Sequence, residues 1–476
     1  MISYVLKLII LEVNCSMKKR KIIIFIIFTI IFSIGSFLFS YGNDYYWHVK
    51  IGEYIFKSKT IPYIDIFSWY GSVNKLRWIS HEWLSEVIIF LFSNIFGQNG
   101  AFIYVFIMIL ILGVLIFIIN KGFFYKNSFY AVVWAIFGLL IISAKALPRP
   151  HLFSYLLFTI TLILAYDLYK NKDSNKIYLS LLISILWSNL HGDSNNLSYI
   201  IYGIFLFCSI FPNKNYKKIT NKNISPIQRK KYIIAIILSL IGICINPHGL
   251  IMLLYPYQNM TYTDMIRCIS EWHPISIFKI DGIFYLIFIG YITLKLIRTK
   301  KKISLVDLIL FVSFTIISIK SRKFVPYLYI SSSFYIFNYF NKERNINIYI
   351  LLIFILLIYG IIIVNYKIPK VEILQEKTIK YIKNYNKSKL YNEYDIGGYL
   401  IYKDIKPFID SRADLYVSTI FSDNCNMELN NPKIIEKYNF DLFLVSKNSN
   451  IYNYLSKRKS IYKTVINDKD YVLIKK

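Results

Sequence analysis

Asp44 and His48 stand one helical turn apart in DYYWH, directly after the first long apolar run of the chain. A carboxylate and an imidazole at i and i+4 share one face of a helix. At the edge of a bilayer such an acid has its proton affinity set by desolvation or by a neighbouring cation, and either setting suits acid/base work on a hydroxyl. The plainer alternative is that these residues cap the first helix, with Tyr45, Tyr46 and Trp47 as interface anchors and Glu53 facing headgroups. His81 and Glu82, in HEWLSE, extend the set, and Glu86 lies one turn beyond Glu82. This is not H-E-x-x-H, because Ser85 stands where the second histidine belongs, so zinc-hydrolase chemistry is not indicated. The alternative for this piece is the polar face of an amphipathic helix. Asp44, His48, His81 and Glu82 are the catalytic candidates.

A second group is cationic. Arg149 and His151 lie in PRPH, where two prolines stiffen a helix entrance. An arginine held near the bilayer is costly to leave unpaired, so a phosphate or a protein carboxylate should meet it. With Lys145, Arg322 and Lys323 on the same face, the expectation is a phosphate or pyrophosphate cradle built from Arg149, His151, Arg322 and Lys323. Ordinary anionic phospholipid is the alternative ligand.

His191-Gly192-Asp193, Asn246-Pro247-His248-Gly249 and Glu271-Trp272-His273-Pro274 read as turns at helix ends, where a lone histidine is ordinarily a loop residue. Their convergence makes His191, His248 and Glu271 candidates for an acceptor side or lid. Asp410 and Arg412, in FIDSRAD, join them, with an internal salt-bridge network including Asp414 as the alternative. Gly397-Gly398 is not a nucleotide fingerprint. The five cysteines are scattered, giving neither a disulfide framework nor metal spacing. No cofactor is demanded, and no spacing supports a divalent metal.

The elements that must position these residues are set by composition. The chain has 476 residues, 56% hydrophobic and only 17% charged, which is too apolar for a soluble protein of this length. Its net charge of +29 comes from Lys and Arg gathered in short runs between apolar segments, the pattern of cytoplasmic retention rather than of nucleic-acid binding. Residues 1–16 read as an untranslated or disordered leader, with Met17 as a start and a first span at 21–41. Further apolar runs at 101–119, 128–146, 151–168, 177–190, 197–212, 232–246, 280–297, 304–319, 324–340 and 346–365 bring the expected spans to about eleven. An interfacial helix is expected at 83–96, anchored by Trp83, within a first outer loop of 41–98.

Walking the spans from a cytoplasmic N-terminus puts each basic connection on the cytoplasmic side and all six histidines on the other. The fold class is therefore mainly α: a polytopic transmembrane bundle over 17–367, followed by a small extracytoplasmic α/β domain over 368–476. Strands are expected at 398–402, 407–409, 441–445 and 471–474, and helices at 371–384, 432–438 and 451–458.

The pieces DYYWHVKIGEYI, IPYIDIFSW, WISHEWLSE, RPHLFS, NLHG, NPHG, GGYLI and FIDSRADLY resemble a branch of bacterial membrane proteins grouped with the GT-C glycosyltransferase superfamily. The resemblance covers most of the chain. It implies a cell-membrane enzyme transferring a sugar from a polyprenyl-phosphate donor to an envelope acceptor on the outer leaflet. Asp44 matches the superfamily's catalytic base after the first span. No D-x-D pair stands beside Asp44, and no W-W-D motif is present. A non-catalytic protein that binds lipid-linked glycan or anionic lipid is the alternative.

Overall fold

The computed structural model describes residues 17–143, 145–172, 174–211, 218–221, 224–340, 347–367, 369, 371–385 and 389–476. The leader at 1–16 and parts of the basic connections near 212–223 and 341–346 lie outside the described residues. The protein is mainly helical, with a small sheet near its C-terminus. Among the described residues, five helical segments are long and apolar enough to cross a membrane: Lys19–Leu38, Trp83–Lys126, His151–Lys170, Ile280–Arg298 and Ile348–Asn365.

Most other apolar runs form shorter helices, among them Ser128–Ser143, Ser180–Leu190, Leu197–Ile210 and Leu305–Lys320. At about 1.5 Å per residue, a helix of about 16 residues rises roughly 24 Å, short of a hydrocarbon core of about 30 Å. The run at 324–340 divides into a helix at Val325–Ser332 and a 3₁₀ turn at Ile336–Tyr339. Met17–Ile34 packs against Gly100–Lys126, Ser128–Ser143 and Ile348–Asn365.

The stretch from Tyr41 to Glu86 is not an open loop. It folds as a helix at Asp44–Ser58, a short helix at Trp69–Asn74 and the start of a third at Trp83–Phe96. Asp44–Ser58 has two apolar faces, as its 3.6-residue period allows. Tyr45 and Val49 enter the bundle core. Trp47, Ile51 and Ile55 enter a second core shared with Tyr391, Phe408 and Phe443 of the C-terminal globule. Gly52 sets the crossing of this helix on Trp83–Phe96, because a Cβ there would lie 2.0 Å from the Glu86 carbonyl oxygen. On the globule side, a Cβ at Gly398 would lie 2.5 Å from the Asn43 carbonyl oxygen, so the Gly-Gly pair serves close backbone approach.

The globule's four-stranded sheet runs in the order Leu390–Asn392, Leu442–Ser446, Tyr471–Lys475, Lys463–Asn467, with the first pair parallel and the others antiparallel. Two expected strands are corrected. Residues 398–402 belong to the helix Tyr394–Tyr402, whose buried face packs on Asp44–Ser58, and 407–409 form no strand. The β-favouring Tyr399, Ile401 and Tyr402 were the signal at 398–402, and docking against a helix overrides it.

The absence of disulfides is also corrected: Cys268 and Cys425 are bonded across a separation of 157 residues, with Cα atoms 6.2 Å apart. No sequence spacing announces this pair, because only docking of the globule onto the helical domain brings the two together.

Two tests follow from this packing. Gly52→Leu should destabilise by about 1–3 kcal/mol or more through overpacking, seen as a lowered Tm. Alkylation of the oxidised, denatured protein should label Cys208 and Cys244 and spare Cys268 and Cys425, which reduction should then expose.

Candidate functional site

The loops at one end of the bundle and the underside of the globule enclose a two-lobed chamber. The inner lobe, about 150 Å³, lies among the bundle loops. The outer lobe, about 430 Å³, is roofed by the globule. Both are lined by Asp44, Glu82, Arg149, His191, Asp193 and Glu271. The outer volume falls in the range of small-molecule sites, roughly 300–1,000 Å³.

Asp44 is the first residue of its helix, and its Oδ2 lies 3.0 Å from Arg149 Nε. Arg149 reaches back through Nη1 to Glu271 Oε1 at 2.7 Å. The proline-bracketed turn that carries Arg149 is held by the Tyr104 hydroxyl, which donates to the Arg149 carbonyl at 3.0 Å. Burial raises the Asp44 carboxyl above its ordinary value, and Arg149 opposes the rise. Burial also raises Glu271, but Arg149 and then Lys145 outweigh it and bring that carboxyl down to about 2. Arg149 is thus a cation bracketed by two carboxylates of different proton affinity.

Lys323 makes the second pair, 3.0 Å from Asp193 Oδ2 with its ammonium 3.5 Å from the centre of the Trp272 ring. Asn259 Nδ2 donates to the other Asp193 oxygen at 3.1 Å. Burial raises Asp193, yet Lys323 outweighs it and brings the carboxyl below the ordinary range. Two histidines of the chamber, His48 and His191, are held neutral. Burial and then Arg149 push His48 well below its usual value, and burial brings His191 down to about 3. Glu82 goes the other way, raised well above the ordinary range by burial, then by Glu86 and Asp44.

A polar chain leads outward from Glu82. His81 Nε2 lies 3.6 Å from Glu82 Oε2, His81 Nδ1 is 2.9 Å from the Tyr255 hydroxyl, and that hydroxyl donates to Asp414 Oδ2 at 2.9 Å. Tyr255 thus ties His81 to Asp414 of the globule by hydrogen bonds, whereas the 3.6 Å between His81 and Glu82 is too long for one.

The candidates of the sequence are therefore distributed as follows. Asp44, His48, His81, Glu82, Arg149, His151, His191, Glu271 and Lys323 line the chamber. Arg322 does not, despite being adjacent to Lys323: it donates to the Ser270 carbonyl and lies 3.6 Å from Asp281. His248 packs its ring on Tyr63, also off the chamber. Arg412 also lines the outer lobe, but with Asp410 it forms a buried network. Arg412 Nε and Nη2 donate to the two Asp410 oxygens at 2.8 Å each, and Nη1 donates to Asp65 at 2.9 Å. The third member is thus Asp65 rather than Asp414. Trp83, the expected interface anchor, donates from its indole to Asn189 Oδ1 at 2.8 Å.

Sequence reasoning gave no role to Asp65, Asp193 or Tyr255. Asp193 was legible in its H-G-D turn, whereas a lone tyrosine such as Tyr255 carries no spacing signal.

The Glu271 carboxyl supplies a pH test. Its folded value of about 2 lies below the ordinary 4.5, so the stability it contributes is present above about 4.5 and lost as pH falls through about 2. Between about pH 5 and pH 2 the Tm of the wild type should fall more steeply than that of Glu271→Gln, and parallel curves would refute the Arg149 pairing. No protein-family model matches this sequence and no curated protein does, so its function is read from the chamber.

Proposed function

We propose that the chain is a multi-pass membrane glycosyltransferase that moves a sugar from a polyprenyl-phosphate donor to an envelope acceptor at the outer leaflet. The observation that carries this reading is the Asp44 carboxylate set 3.0 Å from Arg149 on the chamber wall, beside a helix long and apolar enough to span a membrane. In this reading the shorter apolar helices bring the crossings to about eleven, the basic connections face the cytoplasm and the globule lies outside.

The chemistry is a single displacement. Asp44 takes the proton of the acceptor hydroxyl as that oxygen bonds to the anomeric carbon, and the bond from this carbon to the phosphate oxygen breaks with its electron pair. Charge developing on the departing phosphate is met by Arg149, with Lys145 and Lys323 at the inner lobe. Arg322, the cation expected from the sequence, lies off the chamber wall, and Lys145 takes its place. His48 and His81 orient the acceptor.

Binding without chemistry is the second reading, favoured by one observation: Arg149 and Lys323 already hold carboxylate partners, which a phosphate must displace or join. Asp44→Asn separates the two. Purified protein in liposomes carrying labelled polyprenyl-phosphate sugar should lose about 10²–10⁴-fold in transfer rate on this substitution, with donor binding retained. Undiminished transfer would sink the catalytic role, and donor binding with no transfer by the wild type would favour the second reading.

A further inference from the structure

Beneath the ion pairs of the chamber lies a cluster to which the transfer reaction assigns no common task. His48 Nδ1 is 3.8 Å from Glu82 Oε1 and 3.9 Å from Glu86 Oε1. One ligand atom from each of the three residues lies within 4.8 Å of the others, a spread that two metal–ligand bonds of about 2.0–2.6 Å span. All three residues are buried, at 1%, 8% and 0% exposure.

Hydrogen bonding does not account for this convergence. Separations of 3.8 and 3.9 Å are too long for a hydrogen bond. His48 Nδ1 and Glu86 Oε1 are both buried without any hydrogen-bond partner, and each such group costs about 1–3 kcal/mol. Glu82 occupies the N-cap of Trp83–Phe96, yet its carboxylate does not cap the helix and turns into the cluster instead. Nor are the acids matched by side-chain cations. Arg149 is taken by Asp44 and Glu271, Arg412 by Asp65 and Asp410, and among the described residues no Lys or Arg makes a salt bridge to Glu82 or Glu86.

We propose that His48, Glu82 and Glu86 bind one divalent first-row cation, Zn²⁺ or Mn²⁺, with its remaining coordination positions open to the chamber. One imidazole nitrogen and two carboxylates balance a dication, and the lack of a thiolate excludes the soft metals. Three protein ligands facing a cavity are the arrangement of reactive rather than structural metal sites. His48 and Glu82 both line the inner lobe. The donor set is supported from behind: Ser80 Oγ donates to Glu86 Oε2 at 3.3 Å, and the close crossing at Gly52 fixes His48 over the two acids. H-E-x-x-H does not find this site, because the histidine comes from the separate helix Asp44–Ser58 and the acids follow as E-x-x-x-E.

The test is metal uptake by the full-length protein in detergent, stripped with a chelator and titrated with Zn²⁺ or Mn²⁺. The expected result is one equivalent bound by the wild type, with affinity reduced at least about 10-fold in both His48→Gln and the near-isosteric Glu86→Gln. Glu53→Gln, on the same helix as His48 but paired with Lys50 and Lys57, should bind as the wild type does. Added metal should raise the Tm of the wild type and leave that of Glu86→Gln unchanged. If either variant fails to fold, Glu82→Gln supplies the same comparison. No uptake by the wild type, or equal uptake by the ligand variants, overturns the proposal. The readout is binding, so it is independent of whether the chamber transfers sugars.

Discussion

The close crossing of Asp44–Ser58 on Trp83–Phe96 is the constraint from which the rest of the architecture follows. Only a residue without a Cβ fits at Gly52, where the Glu86 carbonyl oxygen presses on the helix. One turn before Gly52 is His48, and one turn before that is Asp44. The contact therefore fixes the height of both side chains above Glu82 and Glu86. The same helix turns Tyr45 and Val49 into the bundle and Trp47, Ile51 and Ile55 into the globule, so it is common to both cores. Moving it would disturb the chamber and both hydrophobic cores at once, so the Asp44 carboxylate is held in place without a long supporting scaffold.

Charge is handled differently on the two sides of this helix. Toward the globule, Arg412 is saturated by Asp410 and Asp65, with its guanidinium 4.7 Å from the Trp78 ring centre. A buried network that satisfied locks the globule onto the 59–82 segment, because breaking one partner would strand a charge. Toward the chamber, the pairing is incomplete. Arg149 is bracketed by carboxylates whose proton affinities are driven apart, and Glu82 and Glu86 face His48 without a cation of their own. The first arrangement suits docking, and the second leaves charge available to a ligand.

The apolar helices and the presence of a small sheet near the C-terminus were legible because burial in lipid or in a core writes directly into composition. Arg149 was expected to meet a phosphate or a protein carboxylate, and it meets two carboxylates, but nothing in the sequence named Asp44 or Glu271 as its partners. Span length was less legible: runs such as 324–340 are continuous in hydropathy but break where a helix gives way to a 3₁₀ turn. What the sequence hid are the pairings across long separations. Arg412 looked equally suited to Asp414 and Asp410, and only the docked 59–82 segment brings Asp65 to it. Cys268 and Cys425 meet for the same reason. Arg322 and Lys323 are neighbours in sequence, yet a one-residue step round the 3₁₀ turn at Arg322–Phe324 sends them to different partners.

The two lobes of the chamber differ in charge, and the difference gives direction to the proposed transfer. Lys145 and Lys323 line only the inner lobe, whereas Asp395, Asp414 and Glu428 line only the outer one. An anionic leaving group is better accommodated among the lysines, and a neutral polyhydroxyl acceptor among the carboxylates, which accept its hydrogen bonds. Asp44 and Arg149 stand on the wall common to both. In the proposed transfer a base at this boundary would meet the acceptor on one side while the adjacent guanidinium would meet the phosphate on the other, so the ion pair stands where the bond would be exchanged. The globule supplies the acidic wall and the bundle loops the basic one. The Cys268–Cys425 bond joins a bundle loop to the globule, holding the two walls together.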